Sequence, residues 1–257
     1  MISTILQYST IDFKFLEKNL EQLSKFSDEI IIPICDHFFN GEPENPELLK
    51  KSFEIISKYP KCSAYLFDWQ GPQSNTAYYH NVSRYLGTEV AVNKWLFFVD
   101  SDEIVDDSFI PWVKKAVETD YIYWITCYWY WREPIYQATT WEGCGLLIQK
   151  DKCNWAIDTR LERQQFHYGY ALELHHTDKF INGQYQHILN ENGEPMMHHF
   201  SWYRNKNEML TKVKNWGHRN DKTNWEYLIE EEFSRPFNGK DFLHNYQYKI
   251  VKNKFNI

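Results

Sequence analysis

The chain has no paired cysteine spacing, no hydrophobic run long enough to span a bilayer, no basic excess and no internal repeat. Its five cysteines (Cys35, Cys62, Cys127, Cys144 and Cys153) are odd in number and scattered. That excludes a disulfide framework and suits reduced thiols inside a cell. The longest apolar stretch, Tyr121 to Trp131, is too short to act as a transmembrane segment. Met1 to Leu6 carries neither a basic flank nor a small-residue cleavage site, so a cytoplasmic protein without a secretory signal is expected. A net charge of −7 argues against nucleic acid as a partner. No Gly/Ser-rich linker divides the 257 residues, which favours a single domain.

Aromatic residues, by contrast, are abundant at 18%. Rings fill a core, and they also line sites for sugars or nucleobases. The pattern of elements in the first half is regular. Ile2 to Tyr8, Glu29 to Cys35 and Ser63 to Phe67 read as strands, with Pro33 marking an edge or a bulge in the second. Between them, Phe13, Leu16, Leu20 and Leu23 form a helical stripe after a Ser9 or Thr10 cap, and Asn45-Pro46-Glu47 starts another helix. A third helix is predicted from about Asn75 to Leu86, closed by Gly87. A fourth follows Asp107 or Ser108. Alternating strands and helices indicate an α/β fold, a Rossmann-like mixed sheet flanked by helices. Beyond residue 120, Tyr121 to Trp131 and Thr139 to Gln149 read as two strands joined by the loop Arg132-Glu133-Pro134. A helical section follows Arg204.

The most informative segment is Lys94-Trp95-Leu96-Phe97-Phe98-Val99-Asp100-Ser101-Asp102-Glu103. Its five consecutive apolar residues predict a strand buried on both faces. Two aspartates then emerge at its carboxyl end, where open α/β sheets place ligands. Asp100 and Asp102 together suit a hard divalent ion, with phosphates completing its shell. Tyr8, Asp36 and Asp68 end neighbouring strands and are expected on the same rim.

This pattern resembles the family 2-like glycosyltransferases of the GT-A fold. The likeness comprises a strand–helix nucleotide half over residues 1–103, the Asp-x-Asp of Asp100-Ser101-Asp102, and an acceptor half over 104–219. Residues 220–257 are expected as a C-terminal helical extension. His198-His199-Phe200-Ser201-Trp202 resembles a His-x-Ser-Trp element of some relatives. The resemblance implies transfer of a sugar from a nucleotide diphosphate sugar donor to a carbohydrate or glycan acceptor, assisted by Mn²⁺ or Mg²⁺. It further implies that His199, with His198 in reserve, adds a metal ligand, and that Asp36 reads the base or ribose. Tyr8 is placed to pack on the base.

Other candidates come from local charge. From His198 to Arg219 five basic residues stand against one acidic residue, so Lys212 and His218 are candidate diphosphate donors. His80 or Asn81, with Arg84, forms a polar helix face, Arg84 suited to a phosphate or a carboxylate. An inverting enzyme needs a carboxylate to take the acceptor proton, for which Glu142 and Glu162 are the candidates. Two rival readings remain. A haloacid dehalogenase-type phosphatase also ends a strand in Asp-x-Asp, with Thr126 as a second motif, but here the aspartates fall late and no downstream acidic pair follows. A non-catalytic sugar-binding module would use the rings alone.

Overall fold

The computed structural model describes residues 1–68, 76–153, 180–181, 184–185, 187–215 and 222–257. Its first half alternates β1 (Ile2–Gln7), α1 (Phe13–Leu23), β2 (Glu29–Cys35), α2 (Pro46–Ile56), β3 (Cys62–Phe67), α3 (Thr76–Val90) and β4 (Trp95–Asp100). Next come β5 (Glu103–Val105), α4 (Phe109–Ala116), β6 (Tyr123–Trp131), β7 (Glu133–Gln149), β8 (Phe180–Ile181) and β9 (Gln184–Tyr185). The chain ends with β10 (Met197–Trp202), α5 (Lys206–Asn215), α6 (Trp225–Phe233) and β11 (Tyr248–Ile250). Among the described residues the main sheet has the order β3-β2-β1-β4-β7-β6-β10-β5, with β11 added to β7. Strands β1 to β4 are mutually parallel where they pair, whereas β7 runs antiparallel to both β4 and β6. The expected class holds: a mixed α/β sheet flanked by helices, compatible with a GT-A-like Rossmann-type fold.

Strand β4 is buried on both faces, as its unbroken apolar run requires. Trp95, Phe97 and Val99 pack into the core beneath α1, α2 and α4, while Leu96 and Phe98 pack with Ile5, Ile31, Ala91 and Ile148 on the other side. Each fully buried side chain of this size contributes about 1.5–3 kcal/mol of transfer free energy. Asn45 caps α2 as its sequence suggests, its Oδ1 accepting from the amides of Glu47 and Leu48 at 3.1 Å. Ser9 caps a single 3-10 turn, Thr10–Asp12, that precedes α1. The buried face of α1 is Phe15, Leu16, Asn19, Leu20 and Leu23, shifted from the expected stripe because Phe13 is only partly covered.

Four expectations need correction. Gly87 does not close α3; the helix continues to Val90. A Cβ at Gly87 would lie 2.5 Å from Ile5 Cγ2, so the glycine serves close packing of α3 on β1. Pro33 is neither on an edge strand nor at a bulge: β2 is interior, but its register with β1 stops at Ile31, leaving Pro33 paired toward Tyr65 of β3 only. The three-residue loop between β6 and β7 shrinks to Arg132, whose left-handed φ of 57° turns the chain. The segment after residue 220 is not wholly helical, because β11 follows α6 and pairs with Tyr136–Ala138 of β7. All five cysteines are free thiols. Among the described residues no helix is long and apolar enough to cross a membrane.

Candidate active site

The turn after β4 is fixed from several directions. Asn19 of α1 donates its side-chain amide to the carbonyls of Asp100 (3.3 Å), Ser101 (3.0 Å) and Glu103 (2.9 Å). The Ser101 amide donates to Gln7 O at 3.0 Å, and the Phe200 amide donates to Asp102 O at 2.7 Å. Glu103, 1% exposed, accepts from the amides of Asp100 (3.0 Å) and Gly145 (3.3 Å). Burial, reinforced by the charge of Asp100, pushes its carboxyl up to about 8. These bonds tie α1, β1, β7 and β10 to one turn, which is how the fold presents Asp100 and Asp102 rigidly.

Both aspartates meet cations. Asp100 Oδ1 lies 2.6 Å from the guanidinium of buried Arg84. Asp102, 4% exposed, faces Lys212 Nζ at 2.9 Å, and Arg204 and His199 at 3.5 Å each. Burial acts to raise Asp102, yet Lys212, His199 and Arg204 outweigh it and hold the carboxyl well below its usual range. For His199 burial acts to lower the imidazole, and the bonds to Asp102 and Cys127 reverse it, raising the ring well above its ordinary value. Arg204 is fully buried and donates to Ser201 O (2.9 Å), Ile11 O (3.0 Å) and the carboxylate of Asp12. It thereby fastens the segment before α5 to the 3-10 turn after β1. Asp12 in turn accepts from Ser101 Oγ at 2.9 Å.

A cleft with about 770 Å³ of empty space opens over this cluster. Tyr8, Asp12, Cys35, His37, Phe67, Asp100, Asp102 and Lys212 are among the residues along its walls. Of the residues expected to gather here, Tyr8, Asp100, Asp102 and Lys212 do so. The Tyr8 hydroxyl is committed to Ser52 Oγ at 2.6 Å, and the residue lines the cleft. Arg84 stands behind Asp100, a carboxylate partner as its residue type allows. Asp36 sits beside the cleft, 2.6 Å from His37 Nδ1. The two histidines of β10 point to opposite faces. His198 is buried against Tyr130, whose hydroxyl lies 2.7 Å from its Nδ1, and against Phe200 and Phe255. His199 is on the Asp102 side, its ring 4.7 Å from that of Trp129. Glu142 pairs across from Cys127 on the sheet, 3.8 Å from His244 Nδ1, away from the cleft walls. Glu162 and His218 lie outside the described residues, as does the side chain of Asn81.

Asn19, Asp12, Glu103 and Arg204 were not singled out from the sequence. Only Glu103, adjoining Asp102, and Arg204, inside the basic stretch, carried any signal.

Asp102 and His199 lie near the spacing of two ligands on one divalent ion, with Lys212 and Arg204 already pairing to the carboxylate. Two ligands about 2.1 Å from one ion lie about 3.0–3.4 Å apart, and Asp102 Oδ1 and His199 Nε2 are separated by 3.5 Å. The imidazole must lose its extra proton to ligate.

No family model matches the sequence, and no curated protein does. Among solved structures, residues 1–349 of TarS from S. aureus are similar at 13% identity and a TM-score of 0.35, over 51% of this chain and 36% of that one. The same protein with UDP-GlcNAc gives 12% identity and a TM-score of 0.34, over 51% and 34%. With UDP the values are 11% and 0.34, over 51% and 36%. This chain spans about a third of the length of those TarS structures.

Proposed function

We propose that the chain is a glycosyltransferase that moves a sugar from a nucleotide diphosphate sugar to a hydroxyl of a carbohydrate or glycan acceptor. The observation that carries this reading is the meeting of Asp102 with Lys212, Arg204 and His199 at the carboxyl end of β4, beneath a cleft walled by Tyr8. A departing nucleoside diphosphate gains negative charge, and cations held in place before reaction stabilise it without reorganisation. Lys212 is the group best placed for this, because its side chain is 12% exposed at the cleft while Arg204 is sealed beneath it. Arg204 positions rather than touches: it holds the 3-10 turn and the approach to α5 at a fixed separation.

Mn²⁺ or Mg²⁺ would be held by Asp102 and His199, with Asp100 contributing the oxygen not paired to Arg84. Such an ion supplies Lewis-acid stabilisation of the diphosphate oxygens. The nucleoside lies against the Tyr8 ring, with Asp36 at the neighbouring strand end. Glu142 is the proposed proton acceptor in an inverting transfer. It shares a sheet face with His199, through the pairings Cys127–Glu142 and Trp129–His199 and the alternation of Cys127 and Trp129 along β6.

The test is a panel of nucleotide diphosphate sugars, scored for nucleoside diphosphate release and for thermal shift, with and without Mn²⁺. Release from at least one donor, strongly reduced in Lys212→Met, supports the reading. Binding without release from any donor, with glycan acceptors present, overturns it in favour of a binding module.

A further inference from the structure

At the carboxyl end of β2 three consecutive residues bring a thiol, a carboxylate and an imidazole together. One ligand atom from each of Cys35, Asp36 and His37 lies within 4.8 Å of the others. The Cys35 sulfur is 3.5 Å from His37 Nδ1. For a tetrahedral zinc ion, bonds of about 2.3 Å to sulfur and about 2.0 Å to nitrogen place those two atoms about 3.5 Å apart. Asp36 Oδ1 is 2.6 Å from the same nitrogen, a hydrogen-bond separation. Exchanging the shared proton for an ion requires that gap to open by under about 1 Å, and the Asp36 side chain is 46% exposed.

The backbone beneath the cluster is held in place. The Asp36 amide donates to Phe67 O at 3.1 Å, and the Glu44 amide donates to Asp36 O at 3.1 Å. His37 forms an isolated bridge with Pro43, and the Phe38 amide donates to Glu42 O at 2.7 Å. Glu44, 5% exposed, accepts from the Thr10 amide at 3.0 Å and so anchors the loop to the end of β1. The three donors therefore sit on a closed loop stapled to β1 and β3, which lowers the ordering cost of holding an ion.

We propose that Cys35, Asp36 and His37 form a binding site for a borderline-soft divalent cation of the zinc class, with a fourth position open to the cleft. A thiolate with an imidazole selects Zn²⁺ or Co²⁺ over Mg²⁺ and Mn²⁺. The site is thus chemically distinct from the oxygen-rich set at Asp100 and Asp102. Binding releases the thiol proton to solvent, and His37, ligating through Nδ1, carries its ring proton on Nε2. Cys35 and His37 also line the cleft that holds Tyr8 and Asp100. The ion consequently stands where the nucleoside is placed, and Zn²⁺ opposes nucleotide binding. That consequence rests on the function proposed above; the metal site does not.

Cobalt titration of the full chain tests the site. The expected result is a thiolate-to-cobalt charge-transfer band saturating at one Co²⁺ per chain, displaced by Zn²⁺ and not by Mg²⁺. Cys35→Ser abolishes the band and weakens Zn²⁺, measured against a chromophoric chelator, by roughly tenfold or more. His37→Gln does the same, and circular dichroism shows both variants folded. Cys62→Ser and Cys153→Ser leave the band in place. Absence of a band, its survival in Cys35→Ser, or its loss in Cys62→Ser overturns the site. UDP affinity falling in the presence of Zn²⁺ supports the antagonism. Unchanged UDP affinity with the band intact retains the metal site and removes the nucleoside from this end of the cleft.

Discussion

Asp102 Oδ1 and His199 Nε2 face each other at 3.5 Å, one from the turn after β4 and the other from β10. The Asp102 carboxylate is also what Lys212 and Arg204 gather around. Its removal therefore does more than subtract a ligand. Asp102→Asn leaves Lys212 and His199 without this counter-charge, while Arg204 keeps Asp12, and breaking a buried pair from one side costs about 3–5 kcal/mol. The variant is expected to melt well below the wild type and to lose transfer activity by about a hundredfold or more. Proton NMR titration separates the two effects, because the His199 imidazole is expected to fall back toward its ordinary range. An unchanged His199 titration would show that the pairing does not control the ring.

Lys212 bridges Asp102 at 2.9 Å and the Ser201 hydroxyl at 2.7 Å, with its ammonium at the cleft wall. Lys212→Met keeps the aliphatic stem and removes the charge. Calorimetric titration with UDP is expected to show affinity lowered by about ten- to a hundredfold, in line with one charge-assisted bond of about 1.5–3 kcal/mol. Equal affinity in both proteins would move diphosphate recognition elsewhere.

Local pattern made much of this fold legible. The apolar run into Asp100 announced a buried strand, and Asn45-Pro46 announced a helix start, because both depend on neighbours in sequence. Asn19 was illegible for the opposite reason. It looks like a solvent-facing helix residue, and its importance comes from three carbonyls supplied by the distant turn. The Arg204 contacts with Ile11 and Asp12 are equally non-local. Gly87 misled because glycine near a helix end ordinarily marks a stop, whereas here it marks contact with Ile5. Strand alternation sets His198 and His199 on opposite faces, but which of them meets Asp102, and its cationic company, required the tertiary structure.

Gly87→Ala is a direct test of that contact. In an unconstrained helix alanine is favoured over glycine by about 1 kcal/mol. Here its Cβ would meet Ile5 Cγ2 at 2.5 Å and Cγ1 at 3.1 Å, and overpacking of this kind costs about 1–3 kcal/mol. A melting temperature lowered by a few degrees is expected. The double variant Gly87→Ala/Ile5→Ala should be more stable than the sum of the single effects predicts, since truncating Ile5 makes the space. Strict additivity, or a stabilised Gly87→Ala, would show that α3 can shift away without cost.

Asp106 provides the pH test. Its side chain is 5% exposed and lies 3.5 Å from His198 Nε2 while also pairing with Lys254. It accepts from the Ser108 amide at 2.8 Å at the start of α4. Burial acts to raise this carboxyl, and its bonds to His198, Lys254 and Ser108 more than reverse that, leaving it below its ordinary range. The unfolded chain therefore takes up this proton at a higher pH than the folded one. The stabilisation is complete above the ordinary carboxylate range, near pH 4, and is lost as pH falls toward the depressed folded value. His198 adds acid sensitivity of the same sign at higher pH, because burial lowers its imidazole below the ordinary value of 6.5 and only the unfolded chain readily protonates there. In Asp106→Asn the melting temperature at pH 7 is expected to drop by about 5 °C, taking about 1.5–3 kcal/mol for charge-assisted bonds. Below pH 4 its slope against pH should flatten relative to wild type. Between pH 4 and 6.5 the slope should remain, since losing the Asp106 bond lowers His198 further. Parallel melting curves for the two proteins down to pH 3 would show that Asp106 carries no linked proton.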